Sequence, residues 1–184
     1  MYQAKEYREC IAALEPLPAG FDRSLLIAQA KINLDDLNGA RRELDGVLKR
    51  QTVSGDERCR ALKLAISCAA GPAPPDAEEY INIFLREYAE MSESLDYAGL
   101  LLTLYERRKA PSGKYRRLAS WCIAHRLHVP EALPVFLKCI GGVADEKQKE
   151  QLLRALLKRP SLSPRELSLV MPYLRSPKLK QEFF

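Results

Sequence analysis

The stretch LLIAQAKINLDDLNGARRELDGVLKR, residues 25–50, contains two amphipathic patterns separated by a short polar turn. In the second pattern, Ala40, Leu44 and Val47 recur at spacings of three and four residues, which places them on one face of a helix. The charged residues Arg42, Asp45, Lys49 and Arg50 lie away from that face, where they would contact water. The stretch therefore predicts a helical hairpin, whose two antiparallel helices bury a shared apolar face.

Similar apolar stripes continue along the chain, and most prolines and glycines fall between them. No stretch shows sustained period-2 alternation rich in β-branched residues, which is typical of a half-buried strand. The chain is therefore expected to be all-α, without a sheet. Ten helices are predicted, at residues 3–15, 22–34, 36–50, 55–70, 76–91, 94–109, 112–128, 131–141, 145–159 and 163–175.

Capping signals mark the starts of several of these helices. Ser54, Asp76, Asp145 and Ser163 are each followed three residues later by Glu or Gln, which is the spacing of a capping box. Pro164 then falls at the first helical position, where its missing N–H removes no hydrogen bond.

Residues 22–50 resemble a tetratricopeptide repeat, a helix–turn–helix unit of about 34 residues that stacks into a superhelix. Ile27 and Ala28 match the large and small positions of the first helix of that repeat, and Ala40, Leu44 and Val47 match the packing positions of the second.

Three positions depart from the repeat pattern. Asp35 stands where the turn usually has glycine, Lys31 replaces an aromatic residue, and Thr52 replaces the closing proline. A second, weaker match around residues 100–130 keeps Tyr105 and a closing Pro130, with a turn that is longer than the family's.

The resemblance implies a right-handed α-solenoid of stacked antiparallel hairpins, forming a single domain over 1–184. It also implies binding instead of catalysis, because first helices of such repeats line a concave groove for a peptide or a partner helix. Carried onto this chain, the groove-facing residues would be Asp22, Gln29 and Asn33. The alternative interpretation is that these three are ordinary exposed polar side chains.

Charge is distributed unevenly between the halves of the chain, whose net charge is +5. Residues 1–97 contain 12 Lys/Arg and 17 Asp/Glu, whereas residues 98–184 contain 17 and 7. This asymmetry predicts either an anionic partner for the basic half or attraction between the two halves.

The stretch YERRKAPSGKYRRLASW, residues 105–121, concentrates that positive charge around a Pro-Ser-Gly turn. Cations are favoured at the end of the preceding helix, but Lys114 lies near the start of the next one, where the helix dipole is positive. Ser112 is the expected N-cap there. The cluster predicts an anion-binding patch, for a phosphate, a nucleic-acid backbone or carboxylates, and internal pairing with the acidic half is the alternative. Its six cations are Arg107, Arg108, Lys109, Lys114, Arg116 and Arg117.

No motif for catalysis, cofactor binding or metal binding is found. Tyr115 follows Gly113-Lys114 where a P-loop requires Ser or Thr. Cys122, His125 and His128 have ligand-like spacing, but on a helix His128 lies about 120° from Cys122. A packed or interface histidine is therefore the expected role of His125, and the chain is expected to be non-enzymatic, without cofactor or metal.

Several features predict a cytoplasmic location. No run of about 18 apolar residues is present, and MYQAKEYREC lacks the apolar core of a signal peptide. The five cysteines form no CxxC pair and lie in apolar helical segments, which predicts buried thiols in a reducing compartment. They are Cys10, Cys59, Cys68, Cys122 and Cys139.

The sequence therefore predicts a non-enzymatic helical-repeat module that binds another protein, as an adaptor or a chaperone-like scaffold. Its partner would offer an acidic surface or an extended or helical segment to the groove and the basic patch, without a membrane. One alternative is a module that binds nucleic acid or phosphate through the basic half. Another is a helical accessory region of a larger bacterial enzyme or secretion assembly, since the Ala/Arg/Leu-rich style of residues 38–50 suggests a bacterial protein.

Overall fold

A computed structural model describes residues 2–50, 53–69, 77–156, 162–174, 177, 180 and 181. Within these residues the secondary structure is helical and no strand is present, so the predicted all-α class is confirmed. None of the described helices is both long enough and apolar enough to cross a membrane. We number the α-helices α1 Tyr2–Leu14, α2 Phe21–Asn33, α3 Leu37–Leu48, α4 Gly55–Ala69, α5 Ala77–Glu87, α6 Ser94–Arg107, α7 Ser112–Trp121, α8 Ala132–Gly142, α9 Glu146–Leu156 and α10 Pro164–Val170.

The chain divides into two compact units, unit 1 from Met1 to Glu87 and unit 2 from Tyr88 to Phe184. The single domain over 1–184 stays a prediction. The boundary after Glu87 comes earlier in the chain than the change in charge balance after residue 97.

In unit 1 each helix packs against the next along the chain, from α1 to α5, and α2 also contacts α4. The α2–α3 hairpin forms as expected, because its apolar stripes meet in a shared core. All five residues that match the repeat pattern are buried there: Ile27, Ala28, Ala40, Leu44 and Val47.

The turn between α2 and α3 shows how the chain accommodates two departures from that pattern. Asp35 has a φ of 61°, the left-handed conformation that glycine adopts without strain. Asp36 then caps α3, because its Oδ1 accepts a hydrogen bond of 2.9 Å from the Gly39 N–H. Lys31, which replaces the usual aromatic residue, reaches across the hairpin to Glu43 with an Nζ–Oε1 distance of 3.0 Å.

Replacing Asp35 by glycine is expected to raise the free energy of unfolding by about 0.5–1 kcal/mol, because it removes the strain of a left-handed L-residue. Urea titration followed by far-UV circular dichroism measures the change. The matched control is Asp36→Ala, which removes the cap and is expected to lower stability by about 1 kcal/mol. A loss of stability in Asp35→Gly would contradict the left-handed turn.

Side-chain bridges hold α3, α4 and α5 of unit 1 together. Arg58 on α4 donates to Glu87 Oε2 at 2.6 Å and to the Leu48 carbonyl oxygen at 2.8 Å. The hydrogen bond from Arg58 lowers the pKa of Glu87 although partial burial opposes it. Two turns earlier on α5, the Tyr80 hydroxyl donates a hydrogen bond to Asp45 of α3.

In unit 2, α6 packs on both α7 and α8, α7 packs on α8, and α10 also contacts α8. This arrangement surrounds α8 with apolar side chains, and Leu133, Phe136 and Ile140 on it are almost fully buried. Helix α8 is therefore the central element of the unit.

Capping interactions expected from the sequence are present at three helix starts. Ser54 and Glu57 form a reciprocal capping box, and so do Ser163 and Glu166, with Pro164 as the first residue of α10. Asp145 accepts a hydrogen bond of 3.0 Å from the Gln148 N–H. Asp76 and Thr52 lie outside the described residues.

Three predicted helices end earlier than expected. Helix α5 stops at Glu87 instead of continuing to residue 91, and the helix predicted over 112–128 divides into α7 and a π-helical turn, Cys122–Arg126. A 3₁₀ turn, Met171–Tyr173, likewise ends the segment that begins with α10. The π turn brings Arg126 into the interior of unit 2, where only 9% of it is exposed.

The cysteine prediction is wrong at one position. Cys59, Cys68, Cys122 and Cys139 are buried free thiols, but Cys10 is exposed. It lies on α1, where even the apolar stripe of Tyr7, Ile11 and Leu14 is only half-buried. The reason is that α1, the first helix described in unit 1, packs mainly on α2.

Candidate functional site

A cleft of about 480 Å³ lies between α2 and α4 in unit 1, and we call it the α2–α4 groove. Helix α2 contributes Leu25 and Leu26, and α4 contributes Leu64, so the lining is largely apolar. Polar groups from both helices complete it: Gln29, Arg60, Lys63 and Ser67.

The groove exists because α2 carries apolar residues on more than one face. Ile27, Ala28 and Ala30 are buried in the core of unit 1. Leu26, on the same helix, remains 53% exposed within the groove. An exposed large apolar side chain is informative when it lies in a concave, apolar site.

The two cations of the groove belong to α4, at positions three residues apart. The guanidinium of Arg60 lies over the ring of Phe21, 5.1 Å from its centroid, which is cation–π geometry. Lys63 is half-buried. The groove therefore combines leucine side chains with positive charge contributed by one helix.

Of the residues predicted to face the groove, the structure places Gln29 in its lining. Asp22 and Asn33 are exposed on α2, but they are not among the residues that line the groove. The sequence interpretation missed the leucines and the α4 cations. The adjacent pair Leu25-Leu26 was an available signal, because a narrow buried stripe has no room for both.

The second candidate surface is the turn between α6 and α7, which we call the basic turn, residues 107–117. Lys114 is half-buried, with its Nζ 5.5 Å from the centroid of the Tyr105 ring. Among the described residues of unit 2, Arg107, Lys109, Arg116 and Arg117 make no side-chain hydrogen bond or ion pair. The exposed cations of the turn are Arg107, Arg108, Lys109, Arg116 and Arg117.

The start of α7 is held by the last residue of α8 and by the segment that follows it. The Ala144 N–H donates a hydrogen bond of 2.9 Å to Ser112 Oγ. The ring of Tyr115 packs edge-on against Tyr105, with centroids 5.7 Å apart, and lies directly over Gly142. Ser112 is therefore not the N-cap that the sequence predicted: it is the first residue of α7, and its hydroxyl is used by Ala144.

Lys109 has a left-handed backbone conformation just after the end of α6. Its φ of 49° is left-handed, and the Ala110 N–H bonds back to the Tyr105 carbonyl oxygen at 2.9 Å, which closes the end of α6. The connection over 108–111 is one residue longer than the one over 34–36, and both contain a left-handed residue.

The structure does not bring Cys122, His125 and His128 together as ligands. Cys122 is fully buried, and burial raises its pKa to about 12, which disfavours the thiolate. His125 Nδ1 lies 3.2 Å from Glu90 Oε1, and its ring is 5.9 Å from Trp121. In the described part of the chain, no group of three His, Cys, Asp or Glu side chains is arranged to hold a metal ion.

Comparisons with protein-family models, with curated proteins and with solved structures find no match to this chain. Its function is therefore inferred from the α2–α4 groove and the basic turn.

Proposed function

We propose that this chain is a non-enzymatic, protein-binding helical-repeat module whose α2–α4 groove receives an amphipathic segment of a partner protein. The observation that carries the proposal is Leu26, which is 53% exposed inside an apolar cleft. Burying a leucine side chain contributes about 1.5–3 kcal/mol, and a partner that covers Leu26 would gain this energy.

The order of helix contacts supports a repeat arrangement within each unit. In unit 1, α2, α3 and α4 pack in sequence and α2 also contacts α4; in unit 2, α6, α7 and α8 do the same and α6 contacts α8. In stacked hairpins, the first helices of successive repeats are neighbours and share one surface. We assign α2 and α4 as such first helices, in a right-handed solenoid of the tetratricopeptide type.

The chemistry of the groove indicates the kind of segment that it would bind. Its volume is sufficient for a few side chains and not for a whole domain. Leucines would contact apolar side chains of the partner, while Arg60 and Lys63 would attract its carboxylates. An amphipathic helix with apolar and acidic positions three or four residues apart meets both requirements.

Leu26→Glu is expected to weaken binding of such a segment by at least about tenfold, since it removes apolar contact and places an acid beside the expected carboxylates. Peptides selected from a random displayed library on the unmodified chain provide the probes, and fluorescence anisotropy measures their affinities. The matched control is Leu17→Glu, because Leu17 is 51% exposed in the same unit and lies outside the groove.

Selected peptides should lose affinity for Leu26→Glu alone. A library that yields no binder, or binders that respond equally to both substitutions, would overturn the proposed groove.

A further inference from the structure

We propose that the basic turn is a second binding surface, separate from the α2–α4 groove, and that it binds a carboxylate-rich segment of a protein. The inference goes beyond the proposed function, because it concerns unit 2 and does not require the groove to be occupied.

The first support is an excess of charge that the unit does not neutralise. Between Asp96 and Glu131, Glu106 is the only acidic residue in the sequence, whereas the basic turn alone contains six cations. Four of these make no side-chain ion pair among the described residues of unit 2: Arg107, Lys109, Arg116 and Arg117. Internal pairing within the unit therefore does not account for them.

The second support is that packing and a hydrogen bond hold the backbone from which these cations extend. Tyr115 lies between Lys114 and Arg116 in the sequence, and its buried ring is held by Tyr105 and by the backbone at Gly142. The Ala144–Ser112 hydrogen bond attaches the first residue of α7 to the segment that follows α8. A surface whose backbone is already ordered loses less entropy when it binds.

The third support is the lysine at position 109. Its left-handed backbone would be unstrained with glycine, so a lysine there is held at a cost in stability. That cost is offset if the ammonium group contributes to binding.

The side chains around the turn favour carboxylates over nucleic acid. Exposed arginines present a planar fork that fits a carboxylate or a phosphate with two parallel hydrogen bonds, so the choice between the two depends on the surrounding side chains. Nucleic-acid surfaces that bind single strands add exposed aromatic rings on which bases stack. Here Tyr105 and Tyr115 are buried against each other, and Trp121 is half-buried beside His125. The turn therefore provides charge without stacking faces.

The test compares two labelled probes of equal net charge, a polyglutamate peptide and a single-stranded oligonucleotide, by fluorescence anisotropy at matched salt. The variant is Arg107→Glu/Arg116→Glu/Arg117→Glu. The control is Lys138→Glu/Lys147→Glu/Arg165→Glu, which changes the net charge equally at exposed cations of unit 2 outside the turn.

Polyglutamate should bind the unmodified chain more tightly than the oligonucleotide. The turn variant should lose at least about tenfold in polyglutamate affinity, and the control about threefold or less, since exposed ion pairs contribute about 0.2–1 kcal/mol each. Leu26→Glu should leave this affinity unchanged, which separates the inference from the groove. Tighter binding of the oligonucleotide, or equal losses in the two triple variants, would overturn it.

A second variant keeps the test valid if the triple substitution unfolds the chain. Lys109→Gly removes one charge and relieves the left-handed strain, so the variant should be at least as stable as the unmodified chain. Its polyglutamate affinity should fall by about two- to fivefold. An unchanged affinity in this stable variant would count against the basic turn.

Discussion

Gly142→Ala is expected to lower the free energy of unfolding by about 2–3 kcal/mol, although it adds only one methyl group. A Cβ at this position would overlap the ring of Tyr115, lying 2.6 Å from Cε1 and closer still to Cδ1 and Cγ. The ring has no free space into which to move, because it is buried and packs against Tyr105. Either α8 or the start of α7 must shift.

The neighbouring glycine provides the control. A Cβ at Gly141 would meet no atom within 4 Å, and this residue is exposed near the end of α8. Gly141→Ala is therefore expected to stabilise the helix by up to about 1 kcal/mol. Urea titration followed by the fluorescence of Trp121, the one tryptophan in the chain, measures both variants. Equal effects at the two positions would contradict the Tyr115 contact.

The same substitution connects packing with binding. Tyr115 packs against Tyr105 and is the residue between Lys114 and Arg116. Displacement of its ring is therefore expected to displace these two cations as well. We therefore expect folded Gly142→Ala to bind polyglutamate more weakly than Gly141→Ala, although neither substitution changes the charge.

The local features of the fold could be predicted from the sequence. Capping boxes at Ser54 and Ser163 use side chains only three residues apart, and the buried stripe of Ala40, Leu44 and Val47 follows from helical periodicity. These features depend on neighbours along the chain, which a sequence displays directly.

Features that depend on distant residues could not be predicted. Helix α5 ends at Glu87, and the segment that follows is bonded through the Met91 carbonyl oxygen to Arg126, 35 positions away. Of the residues that line the α2–α4 groove, the sequence indicates only Gln29. Leu26 could not be identified in this way, because its exposure depends on where α4 packs. Ser112 was assigned as an N-cap, but its hydroxyl accepts from Ala144, 32 positions away.

The π turn after α7 places one buried cation, Arg126, against uncharged hydrogen-bond acceptors. Its Nε and Nη2 lie 3.0 and 2.9 Å from Ser94 Oγ, and Nη2 also donates to the Met91 carbonyl oxygen. The Ser94 hydroxyl in turn lies 2.8 Å from the Ala89 carbonyl oxygen. No acidic side chain in the described residues pairs with Arg126, so hydrogen bonds alone compensate for its lost hydration.

Arg126→Met is therefore expected to lower the free energy of unfolding by about 2–3 kcal/mol, because hydrogen bonds to a charged group contribute about 1.5–3 kcal/mol and methionine makes none. Methionine keeps a similar length, which limits the loss of packing. Trp121 fluorescence during urea unfolding reports the change, since this residue directly precedes the π turn. The matched control, Arg117→Met, removes an exposed arginine and should change stability by less than about 0.5 kcal/mol.

The two arginines should also separate stability from binding. Arg117→Met should weaken polyglutamate binding without loss of stability, whereas folded Arg126→Met should keep that binding, because its side chain is buried away from solvent. Ser94→Ala adds a second check: it removes the hydroxyl that accepts from Arg126, so its effect and that of Arg126→Met should not add. A coupling energy of at least about 1 kcal/mol is expected in the double-mutant cycle. Simple additivity would show that Arg126 stabilises unit 2 by some means other than this contact.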